Sequence, residues 1–513
     1  MRKLALDDEI LLTIEKPARY IGNEVNAVMK DKSEVAVRFA MCFPDVYEIG
    51  MSHLGIQILY DMFNQRDDIW CERVYSPWPD MDKVMRDKKI PLFALESQDP
   101  VKDFDFLGIT IQYEMCYTNI LQILDLSGIS LLAEKRTWDD PIVIGGGPCT
   151  YNPEPLAQFF DIFYIGEGET VYFRLMDLYK EERAKGSSRM EFLKKAAQIP
   201  GLYVPALYEV CYKEDGTIAS FTPTDASVPA SVEKQIVMDI TDTYYPKAPV
   251  VPFIKATQDR VVLEIQRGCI RGCRFCQAGQ LYRPVRERDV EVLKKYAMEM
   301  LKNTGHEEIS LSSLSSSDYR SLEELVTFLI DTFHGKGVNV SLPSLRVGSI
   351  DDDIMRRLAG IRRTGATLAP EAGSQRLRDI INKGVTEEGL MLHVRKLFEH
   401  GWQQVKLYFM IGLPGETQED IEAIVDLCRK ARDAAGRGMP RLQVTAAISP
   451  FVPKSHTPFQ WEPQITLEQV RERVQYLRDA FRAEKCLKLR WHEPEMSFLE
   501  GVLSRADRRI ADV

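Results

Sequence analysis

From residue 261 onward, short apolar runs alternate with longer stretches in which apolar residues recur every three or four positions. The runs are 261–265, 308–312, 339–342, 366–369, 405–410 and 442–447. Their length and β-branched content predict strands, and the spans 289–303, 320–335, 351–360, 375–400, 417–435 and 466–485 between and after them predict helices. Six such βα units imply a parallel sheet covered by helices. Six rather than eight predict an open, partial (β/α)6 TIM-type barrel over 261–485. Active sites of such barrels sit at the C-terminal ends of the strands.

The front of the chain follows a different rhythm. Continuous apolar runs at 104–111, 141–147 and 161–169 end in glycine-rich turns and predict buried parallel strands of a doubly wound α/β domain over 1–235. Ligands of such sheets bind beyond the carboxyl ends of the strands. The stretch 236–260, with Tyr244-Tyr245-Pro246-Lys247-Ala248-Pro249, is rich in turn residues and reads as a linker. Residues 486–513 read as a charged, helix-compatible C-terminal segment.

The chemistry concentrates directly after the first barrel strand. Cys269, Cys273 and Cys276 stand in the pattern C-x3-C-x2-C within Arg267-Gly268-Cys269-Ile270-Arg271-Gly272-Cys273-Arg274-Phe275-Cys276. A loop of this kind lets three thiolates converge on one [4Fe–4S] cube and leaves one iron without a protein ligand, where a substrate can bind; an electron carrier uses four cysteines. Gly268 and Gly272 let the backbone bend, and Phe275 offers an apolar wall. The alternatives are a structural zinc site, which usually needs two C-x2-C pairs or a Cys/His mixture, and chance clustering. The other seven of the ten cysteines are scattered, as expected of apolar core residues kept reduced in the cytosol.

Composition narrows the partners. Of 513 residues, 45% are hydrophobic and 28% charged, as in ordinary globular proteins. No apolar run approaches the ~18 residues of a membrane span, and the N-terminus turns acidic before any signal-like stretch develops. A cytoplasmic location without a membrane partner is expected. The net charge of −10 argues against a general nucleic-acid binder. Locally, Arg267, Arg271, Arg274, Arg283, Arg286 and Arg288 crowd the cysteine loop. They read either as an offset to a negatively charged cluster or as a face for an acidic electron donor or an anionic substrate.

The cysteine motif resembles the signature of the radical S-adenosylmethionine (SAM) superfamily. Later loops carry the resemblance further. Ser312-Ser313-Leu314-Ser315-Ser316 follows the second strand, where family members contact the SAM amino group. Glu371-Ala372-Gly373-Ser374-Gln375-Arg376-Leu377 resembles the E-x-G-S-x-R-L segment of one branch of the superfamily. Gly412-Leu413-Pro414-Gly415-Glu416-Thr417 resembles its G-x-P-G-E-T turn. Ser449-Pro450-Phe451-Val452-Pro453, followed by Thr457-Pro458, resembles the element beside which adenine lies. The resemblance implies SAM contacts from Phe275, Ser313, Ser315, Glu371 (ribose hydroxyls), Ser374 and Arg376 (carboxylate), Gly412 and Pro450. It also implies reductive cleavage of SAM to a 5′-deoxyadenosyl radical, fed by reduced flavodoxin or ferredoxin. From the residues alone, Thr417 and Asp420 are expected to cap the following helix.

The front domain resembles the cobalamin (B12)-binding type that precedes the barrel in many such enzymes. The resemblance rests on Gly145-Gly146-Gly147-Pro148, on Gly166-Glu167-Gly168-Glu169 and on the segment 44–55 with Ser52 and His53. It implies cobalamin-side loops at Ser52, His53, Gly145, Gly146, Gly147, Gly166, Glu167 and Gly168. The D-x-H-x-x-G element of an axial histidine is absent, so a His53–cobalt bond is not expected. The whole chain is similar to an uncharacterised family of fused B12-binding-like and radical SAM proteins. Arg490-Trp491-His492-Glu493-Pro494 resembles the start of a further family segment, so relatives are expected to carry a longer tail. Cobalamin-dependent methyl transfer is the leading expectation. Radical SAM catalysis without cobalamin (rearrangement, cyclisation or other C–H functionalisation) is the alternative, and a non-catalytic iron–sulfur redox sensor stands third. Methylthio transfer is disfavoured because Cys42, Cys71, Cys116 and Cys149 do not resemble the second cysteine set of those enzymes. The sequence leaves the final substrate open.

Overall fold

A computed structural model describes residues 6–333, 335–341, 357, 366–434, 436 and 443–513. The chain divides into two compact units. The first comprises Met1–Asp259, Lys302–Gly305 and Ala506–Val513; the second comprises Arg260–Leu301 and His306–Arg505.

The first unit is built on β1 (Val37–Phe43), β2 (Ile69–Tyr75), β3 (Phe106–Thr110), β4 (Ile142–Gly146), β5 (Ile162–Tyr164) and β6 (Leu202–Tyr203). Their spatial order is β2-β1-β3-β4-β5-β6. The first five run parallel and β6 pairs antiparallel to β5. This is the flavodoxin-like order, whose ligand crevice lies where the connections reverse, between β1 and β3. Sequence reading found β3, β4 and β5 but not the first two strands. In β2 the apolar run is broken by Glu72 and Arg73, yet both are buried. Arg73 donates to Glu24 at 2.7 Å and to Glu96 at 2.6 Å, and Glu72 accepts from Arg38 at 2.6 Å. Internal ion pairs let this buried edge strand carry charge that an apolar template rejects. A hairpin of β7 (Tyr208–Tyr212) and β8 (Ile218–Pro223) follows.

The second unit carries β9 (Val261–Glu264), a small antiparallel pair β10 (Gln266–Arg267) and β11 (Arg286–Glu287), β12 (Glu308–Ser312), β13 (Asn339–Ser341), β14 (Ala366–Glu371), β15 (Gln404–Ile411), β16 (Gln443–Pro450) and β17 (Leu487–Trp491). One parallel sheet is ordered β13-β12-β9 and another β14-β15-β16-β17. Leu407, Phe409, Val444 and Ile448 pack against Ile421, Ile424 and Leu390 of the covering helices. The helix expected at 351–360 and the end of the strand at 339–342 lie outside the described residues, Arg357 excepted.

Two boundaries differ from the sequence reading. The helical span 375–400 is two helices, Gln375–Ile380 and Glu387–Glu399. Asn382 (φ 53°) and Gly384 (φ 61°) turn the chain between them, in the left-handed region that ends helices. The segment 486–513 is not one piece. Leu487–Trp491 adds a parallel strand beside β16, Pro494–Arg505 is a helix, and Ala506–Val513 belongs to the first unit. There Arg508 donates to Glu154 at 2.8 Å and Asn152 donates to the Ala506 carbonyl at 3.2 Å. No helix among the described residues is long and apolar enough to cross a membrane.

Candidate functional site

The loop after β9 is held open by backbone geometry. Gly268 (φ 81°) lies so close to the chain's return that a Cβ would stand 2.6 Å from the Pro284 carbonyl oxygen, so no other residue fits. The β10–β11 pair closes the loop's base. Its far side is strapped to the end of the helix Gln375–Ile380: the Arg274 N–H donates to the Ile381 carbonyl at 3.0 Å, and the Asn382 side chain donates to the Gly272 carbonyl at 2.9 Å. Cys269, Cys273 and Cys276 are all partly exposed. Cys276 caps the helix Gln277–Leu281, its Sγ accepting from the Gly279 N–H at 3.3 Å. Burial pushes the Cys273 and Cys276 thiols up, while the Lys383 ammonium pulls both down, and each feels the charge of Cys269 and of Glu371. Among the described residues no three His, Cys, Asp or Glu side chains are gathered as around a single metal ion. A cube spreads its thiolates over separate irons, and three thiols on one loop are the donor set of such a cube. Beside the loop, Gln266 is 2% exposed and neither its amide oxygen nor its nitrogen has a protein partner. A buried amide left so is costly, and a bound polar group would satisfy it.

Glu371 ends β14 with φ 68°, at the point where the register with β15 shifts. A bulky residue in this conformation is strained, and such strain concentrates at functional positions. Burial pushes its carboxyl up, and Lys383, whose Nζ lies 3.0 Å from Oε1, pulls it back. The same Nζ stands 5.8 Å above the Phe275 ring. Phe275 itself packs against the apolar cluster of Ala372, Leu377, Ile381, Leu413 and Phe451.

Ser374 and Arg376 are engaged elsewhere. Ser374 caps its helix by accepting from the Leu377 N–H at 3.1 Å and donates to Asp420. Arg376 donates to the same carboxylate and to the Gly415 carbonyl at 2.9 Å. Asp420 also forms the expected capping box with Thr417 on the helix Gln418–Asp433. Gly412 (φ 82°) has its N–H on the Glu416 carboxylate at 2.8 Å. Burial raises Glu416 to about 7 despite Arg473 at 2.7 Å. Ser313 shares a hydrogen bond with Ser316 at 3.0 Å, Ser315 is buried, and Pro450 closes β16.

In the first unit the glycine-rich loops are filled by the chain itself. A Cβ on Gly145 would meet Phe163 at 2.7 Å, on Gly147 the Ile111 carbonyl at 2.8 Å, on Gly166 the Gln235 carbonyl at 2.3 Å and on Gly168 Leu59 at 2.9 Å; on Gly146 it would meet the Tyr172 hydroxyl at 3.3 Å. Glu167 accepts from the Val237 N–H at 2.8 Å, so the G-E-G-E turn clamps the segment that follows the hairpin. The Ser52 hydroxyl donates to the Glu48 carbonyl at 2.7 Å. His53 is the N-cap of the helix Leu54–Asn64: its Nδ1 accepts from the Ile56 N–H at 3.2 Å, and burial lowers its pKa to about 4. With Nδ1 accepting, the neutral ring carries its proton on Nε2 and offers no lone pair there to a metal.

Comparison with known proteins agrees with this layout. The family profile described as "Radical SAM proteins, N-terminal" matches residues 55–205, and that described as "Radical SAM superfamily" matches 263–428. The chain belongs to the radical SAM superfamily. It is similar, at 29% identity over 92% of its length and 89% of the relative's, to an uncharacterized protein of Methanocaldococcus jannaschii. An uncharacterized methyltransferase of Pyrococcus horikoshii is 22% identical over 64% of each chain. In fold it resembles the radical SAM methyltransferase TsrM of Kitasatospora setae, solved with cobalamin and a [4Fe-4S] cluster bound. The TM-score is 0.51 at 14% identity, covering 85% of this chain and 75% of that one. Both regions are thus α/β, and the chain is a radical SAM enzyme.

Around the cysteine loop Arg286 and Arg288 are buried and Arg267 partly so, while Arg271, Arg274 and Arg283 are exposed. Arg267 and Arg288 bind Glu264, at 2.9 and 3.2 Å, and Arg286 donates to the carbonyls of Tyr282 and Pro284. Arg271 pairs with Asp318 and Arg274 with the Ile380 carbonyl. Sequence reasoning missed Lys383 and Gln266 altogether. For Lys383 a signal existed: Asn382-Lys383-Gly384 is a turn sequence inside what reads as one helix.

Proposed function

We propose that this enzyme cleaves SAM reductively at a [4Fe–4S] cluster held by Cys269, Cys273 and Cys276, with electrons from a reduced flavodoxin or ferredoxin. The observation that carries the reading is the approach of Glu371 and Lys383 to the three-thiol loop at the C-terminal ends of parallel strands. When bound, the cluster supplies the electron that splits the C5′–S bond of SAM into methionine and a 5′-deoxyadenosyl radical, which takes a hydrogen atom from the substrate. Glu371 supplies a two-oxygen acceptor suited to ribose hydroxyls. Phe275 and its apolar cluster exclude water from the loop, and Gln266 offers a donor and an acceptor to a polar group. Arg376 is half exposed and retains nitrogens beyond its Asp420 contact, which suits it to the SAM carboxylate better than Ser374.

The finer reading is cobalamin-dependent methyl transfer. The flavodoxin-like strand order supports it, as do the exposed apolar side chains of Ile49, in a short helix after β1, and Tyr113, after β3. Bound cobalamin would supply a methyl carrier to this domain, held without His53 as a ligand because its Nδ1 accepts the Ile56 N–H. The filled glycine loops favour the second reading, radical chemistry without cobalamin. Anaerobic reconstitution with iron, sulfide and hydroxocobalamin, followed by metal analysis and incubation of the reduced protein with SAM, tests both. About four irons per chain and 5′-deoxyadenosine formation are expected, and both should vanish in Cys276→Ala. SAM cleavage persisting in that variant would overturn the site. Iron without cobalt would leave only the second reading.

A further inference from the structure

We propose that Lys383 is a positioning residue of the radical SAM site, joining the carboxylate of Glu371 to the cysteine loop and supplying the positive charge that faces the cluster. The inference rests on the SAM-cleavage reading. The side chain starts from a fixed point. The Lys383 N–H donates to the Arg378 carbonyl at 3.0 Å, and fully buried Arg378 is itself bonded to the carbonyls of Ala372, Gly373 and Val385. From that turn the ammonium reaches Glu371 and the Phe275 face, with only 20% of the side chain exposed. Phe275 lies between Cys273 and Cys276 in the loop, so the ammonium stands beside the thiols. Of the neighbouring arginines that sequence alone nominated for this task, Arg267, Arg271, Arg274, Arg286 and Arg288 hold Glu264, Asp318 or backbone carbonyls.

Two consequences follow from charge alone. A cluster that gains an electron becomes more negative, so a cation in a partly desolvated setting favours the reduced state. An ammonium that pins Glu371 at its strained φ also fixes the oxygens that would meet SAM. Lys383→Met removes the charge while keeping length and apolar stem. The measurements are the midpoint potential of the reconstituted cluster, by redox titration followed by electron paramagnetic resonance, and SAM binding by equilibrium dialysis. The expected result is wild-type iron content with a midpoint shifted negative, by about tenfold in the reduction equilibrium or ~59 mV for one electron, and SAM binding weakened about tenfold. Lys383→Arg should restore the potential. If Lys383→Met loses iron, Lys383→Gln, which still donates to Glu371, carries the same potential test. An unchanged potential and unchanged SAM affinity in an iron-replete neutral variant would overturn the inference and leave SAM cleavage standing. A wild-type protein that takes up no iron would overturn both.

Discussion

Replacing Asp420 by Ala should weaken the radical SAM unit by about 3–4.5 kcal/mol, assembled from its contacts. The carboxylate accepts from the Thr417 N–H at 2.8 Å and hydroxyl at 3.1 Å, and loss of a capping interaction costs ~1 kcal/mol. It accepts the Ser374 hydroxyl while itself only 3% exposed, and a buried hydrogen bond to a charged group contributes about 1.5–3 kcal/mol. The Arg376 pair adds little, ~0.5 kcal/mol, because that guanidinium is 51% exposed and screened. With a urea slope of roughly 3 kcal/mol/M, the midpoint should fall by about 1–1.5 M, read by fluorescence of Trp402, Trp461 and Trp491. The pH dependence has a definite sign. Its hydrogen bonds hold Asp420 below the usual aspartate range against the opposing effect of burial. The contribution is therefore complete above the unfolded value, about 3.9, and is lost as pH falls through the lower folded value. Wild type and variant should converge in acid. A midpoint within ~0.2 M of wild type at pH 7, or a gap that persists undiminished below pH 3, would refute the assignment of Asp420 as the clamp on Ser374 and Arg376.

Gly373→Ala should be comparably damaging, because its Cβ would stand 2.3 Å from the Ile424 nitrogen and 2.8 Å from the Asp420 carbonyl; overpacking against backbone costs about 3 kcal/mol, measurable as a lowered urea midpoint. Arg73→Met strands Glu24 and Glu96, both fully buried, and should cost the first unit roughly 3–5 kcal/mol, read by fluorescence of Trp70, Trp78 and Trp138. Glu416, raised to about 7, should make the second unit lose about 3 kcal/mol of stability as pH rises from its unfolded value near 4.3 to above 7. Glu416→Gln should flatten that slope between pH 5 and 8, and an equally steep profile in the variant would reassign it.

How much of this was legible in the sequence depends on the range of the interaction concerned. The cysteine loop and the strands at 261–265 and 405–410 could be read because apolar runs and thiol spacing are local. The Thr417–Asp420 cap is equally local, and it formed as expected. The Asp420 contacts of Arg376 and Ser374 come from a residue more than forty positions away, as does the pairing of Arg271 with Asp318, so no local reading could have found them. Strand β2 was missed because its charges are compensated by Glu24, Glu96 and Arg38, partners no window contains. The glycines mark the sharpest division. Gly145, Gly166 and Gly168 are required where they stand because Phe163, Gln235 and Leu59 fill the space a side chain would take, so a G-E-G-E turn would persist whether or not a cofactor binds there. A partly exposed cysteine triplet satisfies no such packing demand, and Glu371 holds a backbone conformation that costs energy to maintain. The residues the fold does not itself need are the ones our proposed site draws on: Cys269, Cys273, Cys276, Glu371 and Lys383 in the second unit.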